Sequence, residues 1–277
     1  MSVEPRMPPR EKRPKTAVQI TLVIFIGGLA LAWLLATPPG LLGKSDAVAY
    51  AVCHRIGSHS FSFSDRPFSL CARCSGQYLG FLWGFALQNL LGKRRTGFPS
   101  RWALIGFVIL FLLYGLDGVN SLLPLYPGLS DWSLYQPMNE LRLFSGLGMG
   151  LAISAIYYPL MGQTIWKEYS TERSLSGIRE WLLWIGGGIG IGLLVLTGNP
   201  LILYPLILLS TAGLITLLSM LYMVIWILLT RKENSFGSWE ELGLWILAGF
   251  GTAAFQIALI DLIRYLLTGT WSGFLDQ

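Results

Sequence analysis

All three cysteines and both histidines of this 277-residue chain fall within one stretch, CHRIGSHSFSFSDRPFSLCARC, at residues 53–74. Thiolate and imidazole groups together favour Zn²⁺ over hard ions such as Mg²⁺. The Cys-x-x-Cys spacing at the end of the stretch is the usual half of a zinc site. We therefore expect a Cys₃His zinc site here. The candidate ligands are Cys53, His54 or His59, Cys71 and Cys74.

The same thiols also allow a redox interpretation. Cys71 and Cys74 are predicted to lie where a helix starts, with Arg73 between them, and both features favour the reactive thiolate form. Outside the cytoplasm cysteines tend to oxidise, so this pair would cycle between thiols and a disulfide, with Cys53 as the resolving partner. A structural disulfide with one thiol left over is the third interpretation. The sequence does not separate a zinc site from a disulfide.

Three apolar segments each carry a pair of polar or charged residues three positions apart. That spacing places both side chains of a pair on one helix face. Ionisable residues inside a membrane are unfavourable, so each is a functional candidate. The pairs are Asp117 with Asn120, Asn139 with Arg142, and Asp261 with Arg264.

Four residues are assigned roles in a polar pocket under the Cys/His stretch. Asp117 is expected to act as a general base or to orient a water, and Asn139 to hydrogen-bond the substrate or a ligand side chain. Arg73 and Arg142 are expected to hold an anionic group, because arginine forks suit phosphate. A phospholipid headgroup or a polyprenyl phosphate is the expected ligand. The structural alternative is that Arg142 snorkels to the interface and that Asp261 and Arg264, on one helix, neutralise each other.

Composition places these residues in a membrane protein. The chain is 53% hydrophobic and 13% charged, with a mean hydropathy of +0.56, whereas a soluble domain carries about 25% charged residues. Runs of about 20 apolar residues indicate membrane-spanning helices and not a β-barrel. The net charge of +5 comes from basic residues gathered in loops. We therefore expect the lipid bilayer as a partner and no nucleic acid; the oligomeric state stays open.

The predicted fold is an all-α polytopic membrane helix bundle of about seven transmembrane helices. A disordered basic tail at 1–16 precedes a core membrane domain at 17–161, a cytoplasmic loop at 162–179 and further membrane helices at 180–277. The number becomes six if the first span is cleaved or the sixth lies partly outside the membrane. The predicted spans are Ala17–Thr37, Cys71–Leu91, Trp102–Leu123, Met138–Met161, Glu180–Thr197, Leu201–Thr230 and Glu241–Leu267.

The distribution of positive charge predicts the orientation. Fourteen of the 20 basic residues lie in the N-terminal tail and in the loops after the second, fourth and sixth spans. Cytoplasmic loops carry an excess of Lys and Arg, so the N-terminus is predicted to be cytoplasmic and the C-terminus outside. The protein is then expected as a multi-pass plasma membrane protein, with the Cys/His loop at 53–74 extracytoplasmic.

Two further patterns concern local structure. The segment SHSFSFSDRP alternates small polar residues with aromatic ones, which indicates a short strand or a hairpin arm. Gly80-x-x-x-Gly84 and Gly146-x-x-x-Gly150 indicate close helix packing. The GGGIGIG run in the fifth span indicates the same, because no strand precedes it and a nucleotide-binding loop is therefore excluded.

Residues from about 50 to 155 resemble the domain of unknown function 2085 family, which comprises small prokaryotic multispanning membrane proteins. The resemblance rests on CHR, RPFSLCARCSGQYLGFLWG, LDGVN and NELRLFSGLGMG. It implies that the matching residues belong to one site, favours His54 over His59, and implies no reaction. The matching positions are Cys53, His54, Cys71, Arg73, Cys74, Gly76, Tyr78, Gly80, Asp117, Gly118, Asn139, Arg142 and Gly146.

The sequence thus predicts a membrane-embedded enzyme with an outward-facing zinc site that acts on a lipid or lipid-linked substrate. One alternative is a transporter of a metal ion or a small anion. Apart from Glu241 at an end, the spans that carry the polar pairs lack ionisable residues in their inner halves, which favours a one-sided site over a transport path. The other alternative is a thiol-disulfide protein that passes electrons to a quinone. The substrate and the role of Asp261 and Arg264 stay open.

Overall fold

The computed structural model describes residues 15–63, 66–91, 94–126 and 128–271, and within these it confirms the all-α membrane bundle. Every predicted span is a helix, with ends shifted by a few residues. A further short helix, α2, was not predicted. The helices are α1 (Lys15–Ala36), α2 (Gly40–Tyr50), α3 (Ala72–Leu91), α4 (Arg101–Leu122), α5 (Asn139–Ile165), α6 (Ile178–Leu196), α7 (Pro200–Leu229) and α8 (Gly243–Thr268).

The predicted basic tail at 1–16 lies almost wholly outside the described residues. Its last two residues, Lys15 and Thr16, already belong to α1. The predicted hairpin arm is confirmed, since β1 (Ser62–Phe63) pairs antiparallel with β2 (Arg66–Pro67).

Helix α4 shows the burial pattern of a membrane helix. It buries Asp117, Asn120 and Ser121 and exposes apolar side chains such as Val108 and Leu112. A helix in water does the opposite, whereas lipid favours an apolar outer surface and polar groups turned toward the protein interior. The described part contains six helices that are long and apolar enough to cross a membrane: α1, α4, α5, α6, α7 and α8.

Helix α3 is the seventh predicted span and is more polar than the other six. It is 20 residues long and contains Arg73, Gln77 and Gln88. It lies between α5 and α7, and its buried residues include Ser75 and Gln88. Because neighbouring helices cover it, its side chains need not be as apolar as those of a lipid-facing helix.

Glycines bring the backbones of α3 and α5 into direct contact. A Cβ atom at Gly146 would lie 2.1 Å from the Arg73 carbonyl oxygen, and one at Gly150 would lie 1.9 Å from that of Gln77. On the facing helix, a Cβ at Gly76 would lie 2.2 Å from the carbonyl oxygen of Leu143. The predicted close packing at the Gly146 pair is therefore confirmed. It fixes the first turn of α3, with Arg73, against the first turns of α5.

The glycine run of α6 packs against side chains. A Cβ at Gly187 would meet the Trp83 ring at 2.1 Å, and one at Gly188 would meet Leu151 at 2.7 Å. Gly186 and Gly190 face open space. The run accommodates large side chains of α3 and α5, which makes the packing close without backbone contact.

The two ends of the bundle differ in character. We call the end that carries the connections α2–α3, α4–α5 and α6–α7 the cysteine end, and the opposite end the basic end. At the basic end, β3 (Arg95–Gly97) and β4 (Ser170–Arg173) pair in parallel and join the connections α3–α4 and α5–α6. The backbone N–H of Lys167 also donates to the Phe236 carbonyl at 2.9 Å, which adds the connection α7–α8. The basic loops after α3, α5 and α7 therefore contact one another.

Candidate functional site

Three thiols meet at the cysteine end. The Sγ atoms of Cys53, Cys71 and Cys74 all lie within 4.8 Å of one another, and all three cysteines are free. Cys53 and Cys71 are buried and Cys74 is half-buried. The backbone N–H of Cys71 lies 3.4 Å from Cys53 Sγ, and that of Cys74 lies 3.5 Å from Cys71 Sγ. Tetrahedral Zn²⁺ with Zn–S bonds of about 2.3 Å separates its sulfurs by about 3.8 Å, so a small inward movement would complete such a site.

Elements from both halves of the chain position these thiols. Cys53 follows α2, and its backbone N–H donates to the Ala49 carbonyl at 2.8 Å. Arg264 of α8 donates to the carbonyl of Cys53 at 2.9 Å and to that of Tyr50, and its guanidinium lies 3.9 Å from the centre of the Tyr50 ring. Arg264 therefore holds the end of α2 in place, and Cys71 and Cys74 lie at the start of α3.

The residues flanking Cys53 form a tight turn. Arg55 has a φ of 52°, in the left-handed region that residues other than glycine seldom adopt. Its side chain pairs with Asp46 at 3.3 Å and donates to the Trp271 carbonyl at 2.9 Å. These contacts stabilise the turn that places Cys53 among the other thiols.

The histidines lie beside the thiols without joining their group. His54 Nδ1 accepts a hydrogen bond from the Ile56 backbone N–H at 3.0 Å. In a neutral ring the proton then sits on Nε2, so neither nitrogen is free for a metal. The rings of His54 and His59 pack edge to face, with centroids 5.2 Å apart. The structure thus brings together three of the four predicted ligands, and His54 is placed next to them.

The charge state of the loop follows from its burial. The pKa of His54 is lowered by burial, and the pKa of His59 is lowered to about 4, first by burial and then by the positive charge of Arg142. Both rings are therefore neutral near pH 7. The pKa of the Cys53 thiol is held well below its ordinary value because the thiols of Cys71 and Cys74 donate toward it.

Asp117 is fully engaged by its neighbours. Arg73 Nη2 lies 2.5 Å and Nε 3.1 Å from Asp117 Oδ2, and Tyr135 donates to Oδ1 at 2.7 Å. Ser145 lies 3.4 Å from Oδ2. Burial, and then the hydrogen bond from Tyr135 to the Asp117 carboxylate, raise the pKa of Tyr135 to about 12. The carboxylate therefore orients Arg73 and Tyr135, and the anionic group that Arg73 holds here is Asp117. The role predicted for Asp117, as a general base or a group that orients a water, stays a prediction.

Arg142 has only neutral partners. Its Nε donates to Ser121 Oγ at 3.2 Å and its Nη1 to Asn139 Oδ1 at 2.7 Å. Asn139 in turn donates to the carbonyls of Ser58 and Ser60, at 3.3 and 3.2 Å. Arg142 is only 4% exposed, and no ion pair joins it to a carboxylate of the described residues. The four residues with predicted roles thus form one connected network, in which Ser121 links the two arginines.

A cavity of about 510 Å³ opens beside this network at the cysteine end. Its volume lies within the usual range for small-molecule sites. The α4–α5 connection supplies most of its wall. Its polar lining consists of Ser58, His59, Ser121, Ser133, Tyr135, Gln136 and Arg142.

Sequence reasoning missed some members of this network. Ser121 lies four positions after Asp117, a spacing that places both on one helix face and that could have drawn attention to it. Tyr135 carries no such signal, because it lies in an irregular connection. The two polar residues of the last span bind separate partners: Asp261 accepts from Trp33 Nε1 at 2.8 Å, and Arg264 holds the carbonyls at the end of α2.

Known proteins similar to this chain cover the region of the site. A family model described as predicted membrane protein (DUF2085) matches residues 53–156. An uncharacterized protein of Methanothermobacter thermautotrophicus is 31% identical over 104 residues, which are 37% of this chain and 82% of that protein. An uncharacterized protein of Methanocaldococcus jannaschii is 28% identical over 125 residues, 44% of this chain and 72% of that protein. No solved structure matches the chain significantly.

Proposed function

This chain belongs to the DUF2085 family of predicted membrane proteins, and we propose that it is a membrane-embedded enzyme acting on a lipid or lipid-linked substrate. In this proposal Cys53, Cys71 and Cys74 hold a zinc ion at the cysteine end. The observation that carries the proposal is the approach of the three sulfurs to within 4.8 Å of one another.

The donor set supports zinc in particular. Three thiolates are soft ligands, which favour Zn²⁺ over Mg²⁺ or Ca²⁺. A zinc ion prefers four ligands, and catalytic sites keep the fourth position for water or substrate. His54, whose Nδ1 accepts from the backbone, leaves that fourth position to another group. The metal would supply Lewis-acid chemistry there.

Two contacts connect the thiols to the cavity. His54 follows Cys53 in the chain, and its ring packs on His59, which lines the cavity. Arg73 lies between Cys71 and Cys74 and donates to Ser121, which lines the same cavity, at 3.0 Å. A substrate held in the cavity would therefore lie near the metal, with Tyr135 in the cavity wall and Asn139 orienting Arg142.

A lipid substrate is supported by the surface around the cavity. The α4–α5 connection exposes large apolar and aromatic side chains, including Tyr126, Trp132 and Leu134 at 59, 74 and 70%. Aromatic groups of this kind concentrate at the membrane–water interface. With the basic end in the cytoplasm, the cavity would open at the extracytoplasmic surface of the plasma membrane.

A redox function is the second candidate, favoured by the lowered pKa of Cys53. In it the Cys53 thiolate, and not Cys71 or Cys74, would be the attacking thiol, because the thiolate is the nucleophile. Oxidation of two thiols to a disulfide would release two protons and two electrons, and a quinone would accept them. Transport of a metal ion or a small anion would need a polar path from this site to the basic end.

The test is elemental analysis of the full chain purified in detergent, with free thiols counted on the same sample. We expect about one zinc per chain in the wild type, because three thiolates in this arrangement suffice for a zinc site. Cys71→Ser should lose the metal. His54→Gln is the matched control and should keep it, since Nδ1 of His54 accepts from the Ile56 backbone and the group that could hold a metal consists of the three cysteines. Turnover of phospholipids in nanodiscs, followed by lipid mass spectrometry, should stop in Cys71→Ser.

Three free thiols without metal would overturn the zinc site. One free thiol without metal would replace it with the redox candidate, which reduction of a soluble quinone would then test. Zinc without phospholipid turnover, across the common headgroups and polyprenyl phosphates, would overturn the enzyme and leave a structural metal site.

A further inference from the structure

We propose that the cavity at the cysteine end binds a phosphate group through Arg142. The inference deepens the proposed function and rests on it, because the bound phosphate would belong to the lipid substrate. It is argued from a different observation. That observation is a buried arginine without a carboxylate partner, beside a cavity in which no residue of the described lining is acidic.

The charges in this buried network do not balance. Arg73 and Asp117 form an ion pair with side chains 15% and 6% exposed, so their charges cancel. Both oxygens of Asp117 are used, one by Arg73 and the other by Tyr135. His59 is neutral near pH 7 because its pKa is about 4. One positive charge therefore remains on Arg142, and a buried charge without a counterion is strongly unfavourable.

The donors around Arg142 suit a tetrahedral oxyanion. An arginine fork carries five N–H donors, and the bonds to Ser121 and Asn139 use two of them. The ring nitrogens of His59 have no partner among the described residues, and the hydroxyl groups of Ser58 and Ser133 line the same space. Phosphate matches such a fork in two hydrogen bonds at once.

The start of α5 adds a second favourable term. Helix α5 begins at Asn139, three residues before Arg142, and the preceding Met138 has no side-chain cap. Pro137 and Arg142, on either side of this start, both line the cavity. The N-terminus of a helix carries a partial positive charge and unsatisfied N–H groups, which favour a bound anion.

The phosphate could come from a lipid headgroup or from the aqueous phase, and one experiment separates the sources. The full chain is titrated with inorganic phosphate in a neutral detergent by calorimetry. In parallel, its thermal unfolding is compared in phosphatidylcholine nanodiscs with and without phosphatidic acid, since a ligand of the native state raises the unfolding temperature. Stabilisation by phosphatidic acid alone assigns a lipid, and binding of inorganic phosphate alone assigns a soluble phosphate. Either result supports the site.

The decisive variant is Gln136→Glu, which places a carboxylate at an exposed position of the cavity wall and leaves the buried network intact. We expect it to weaken phosphate affinity by about tenfold or more, equivalent to about 1.4 kcal/mol. Ser130→Glu adds the same charge in the same connection, outside the cavity lining, and should bind as the wild type does. Arg142→Lys keeps the charge without the fork and should bind more weakly.

Unchanged affinity in Gln136→Glu, or no response of the wild type to either probe, would overturn the proposal. Cys71→Ser keeps these two failures apart from those of the zinc site, because it should lose metal and still bind phosphate. Loss of phosphate binding in Gln136→Glu with normal zinc content would show that the phosphate site and the zinc site use different residues.

Discussion

Both ends of the bundle contain arginines that are at least half-buried, and the two ends satisfy them differently. At the basic end Arg95 pairs with Glu180 at 2.6 Å, and Arg94 lies 4.3 Å from the centre of the Trp166 ring and donates to the Gly237 carbonyl at 2.5 Å. At the cysteine end Arg142 has no carboxylate partner among the described residues. Arg94 also lacks a carboxylate partner among the described residues, but it is only half-buried, whereas Arg142 is 4% exposed. The buried, unpaired charge of Arg142 is the reason we propose a ligand at that end.

The cavities of the two ends differ in the same way. The cavity at the basic end is about 170 Å³, and Arg94, Trp166 and Trp239 line it. It is smaller than a usual small-molecule site, and the stacked arginine occupies its wall. The cavity at the cysteine end is about 510 Å³ and lies near three free thiols. Size, charge and reactive groups therefore coincide at one end only of the described structure, and that end is where we place the chemistry.

The largest expected effect on stability comes from a glycine of α5 that packs against a neighbouring element at one end of the bundle. Gly146→Ala at the cysteine end would place a Cβ 2.1 Å from the Arg73 carbonyl, and two helix backbones would have to separate. We expect a loss of more than about 3 kcal/mol in the free energy of unfolding, at the upper end of overpacking effects. Thermal unfolding in detergent measures it.

The matched variants at other positions sharpen this result. Gly162→Ala at the basic end meets the Thr96 methyl at 2.5 Å, and Gly190→Ala faces open space. We expect a smaller loss for the first, because a side chain can move aside, and no measurable loss for the second. Equal losses in all three variants would contradict the close backbone contact at Gly146.

The second effect concerns the two ion pairs. Asp117→Asn leaves Arg73 without a counterion beside Arg142, which already has none, and we expect a loss of about 3 kcal/mol, the size found when a buried pair loses one partner. Glu180→Gln at the basic end removes the partner of Arg95 from a site where the carboxylate is 20% exposed. We expect about 1 kcal/mol there. Unfolding in detergent should show the difference, and the reverse order would remove the distinction between the ends.

Added phosphate separates the ion-pair effect from simple damage. A phosphate in the cavity supplies the negative charge that Asp117→Asn removes, so it should restore part of the lost stability. The Glu180→Gln variant should gain no more from phosphate than the wild type does. A variant of Asp117 that phosphate leaves unchanged would indicate that the carboxylate serves only to hold Arg73.

The third effect is a pH dependence that arises at the cysteine end, which contains both histidines. The pKa of His59 is lowered from 6.5 to about 4 in the folded protein. The unfolded chain therefore binds the proton first on acidification, and stability is full above about pH 6.5 and falls as the pH drops toward 4. We expect up to about 3 kcal/mol across this window, at about 1.4 kcal/mol per pKa unit.

His59→Gln tests the assignment, because it removes the titrating ring and keeps a neutral polar side chain. The stability of this variant should depend less on pH between 6.5 and 4 than that of the wild type. His54→Gln is the comparison variant at the same end. An unchanged slope in His59→Gln would mean that other groups, such as the carboxylates, produce the acid sensitivity.

The sequence predicted the membrane helices because long apolar runs end at charged residues, prolines or glycines. It missed α2 (Gly40–Tyr50), which is 11 residues long and mixes Lys44 and Asp46 with small apolar residues. Length and hydropathy detect a helix that crosses lipid, and α2 is held instead by contacts with α7 and α8, such as the bond between Ser45 and Thr211 at 2.6 Å.

The sequence predicted which residues belong to the site better than it predicted the contacts between them. The thiols were predicted because they cluster in the sequence. Asp117 and Arg142 were predicted because ionisable residues inside a membrane span are unfavourable. The pairing of Arg73 with Asp117 depends on residues 44 positions apart meeting across two helices, and periodicity within one helix carries no such information. Nδ1 of His54 accepts a backbone hydrogen bond, a contact that composition and spacing cannot indicate.

The smallest effect is expected at the basic end. Arg94→Gln removes the stacking on Trp166, which we expect to change stability by about 0.5–1 kcal/mol, and it should leave zinc content and phosphate affinity as in the wild type. The reason is that Arg94 contacts the Gly237 carbonyl and aromatic rings, all at the end opposite the thiols. Thermal unfolding, elemental analysis and phosphate titration on one preparation give all three values. A loss of zinc or of phosphate binding in this variant would mean that the two ends are coupled through α3 and α5, and the basic end would then have to be counted as part of the functional site.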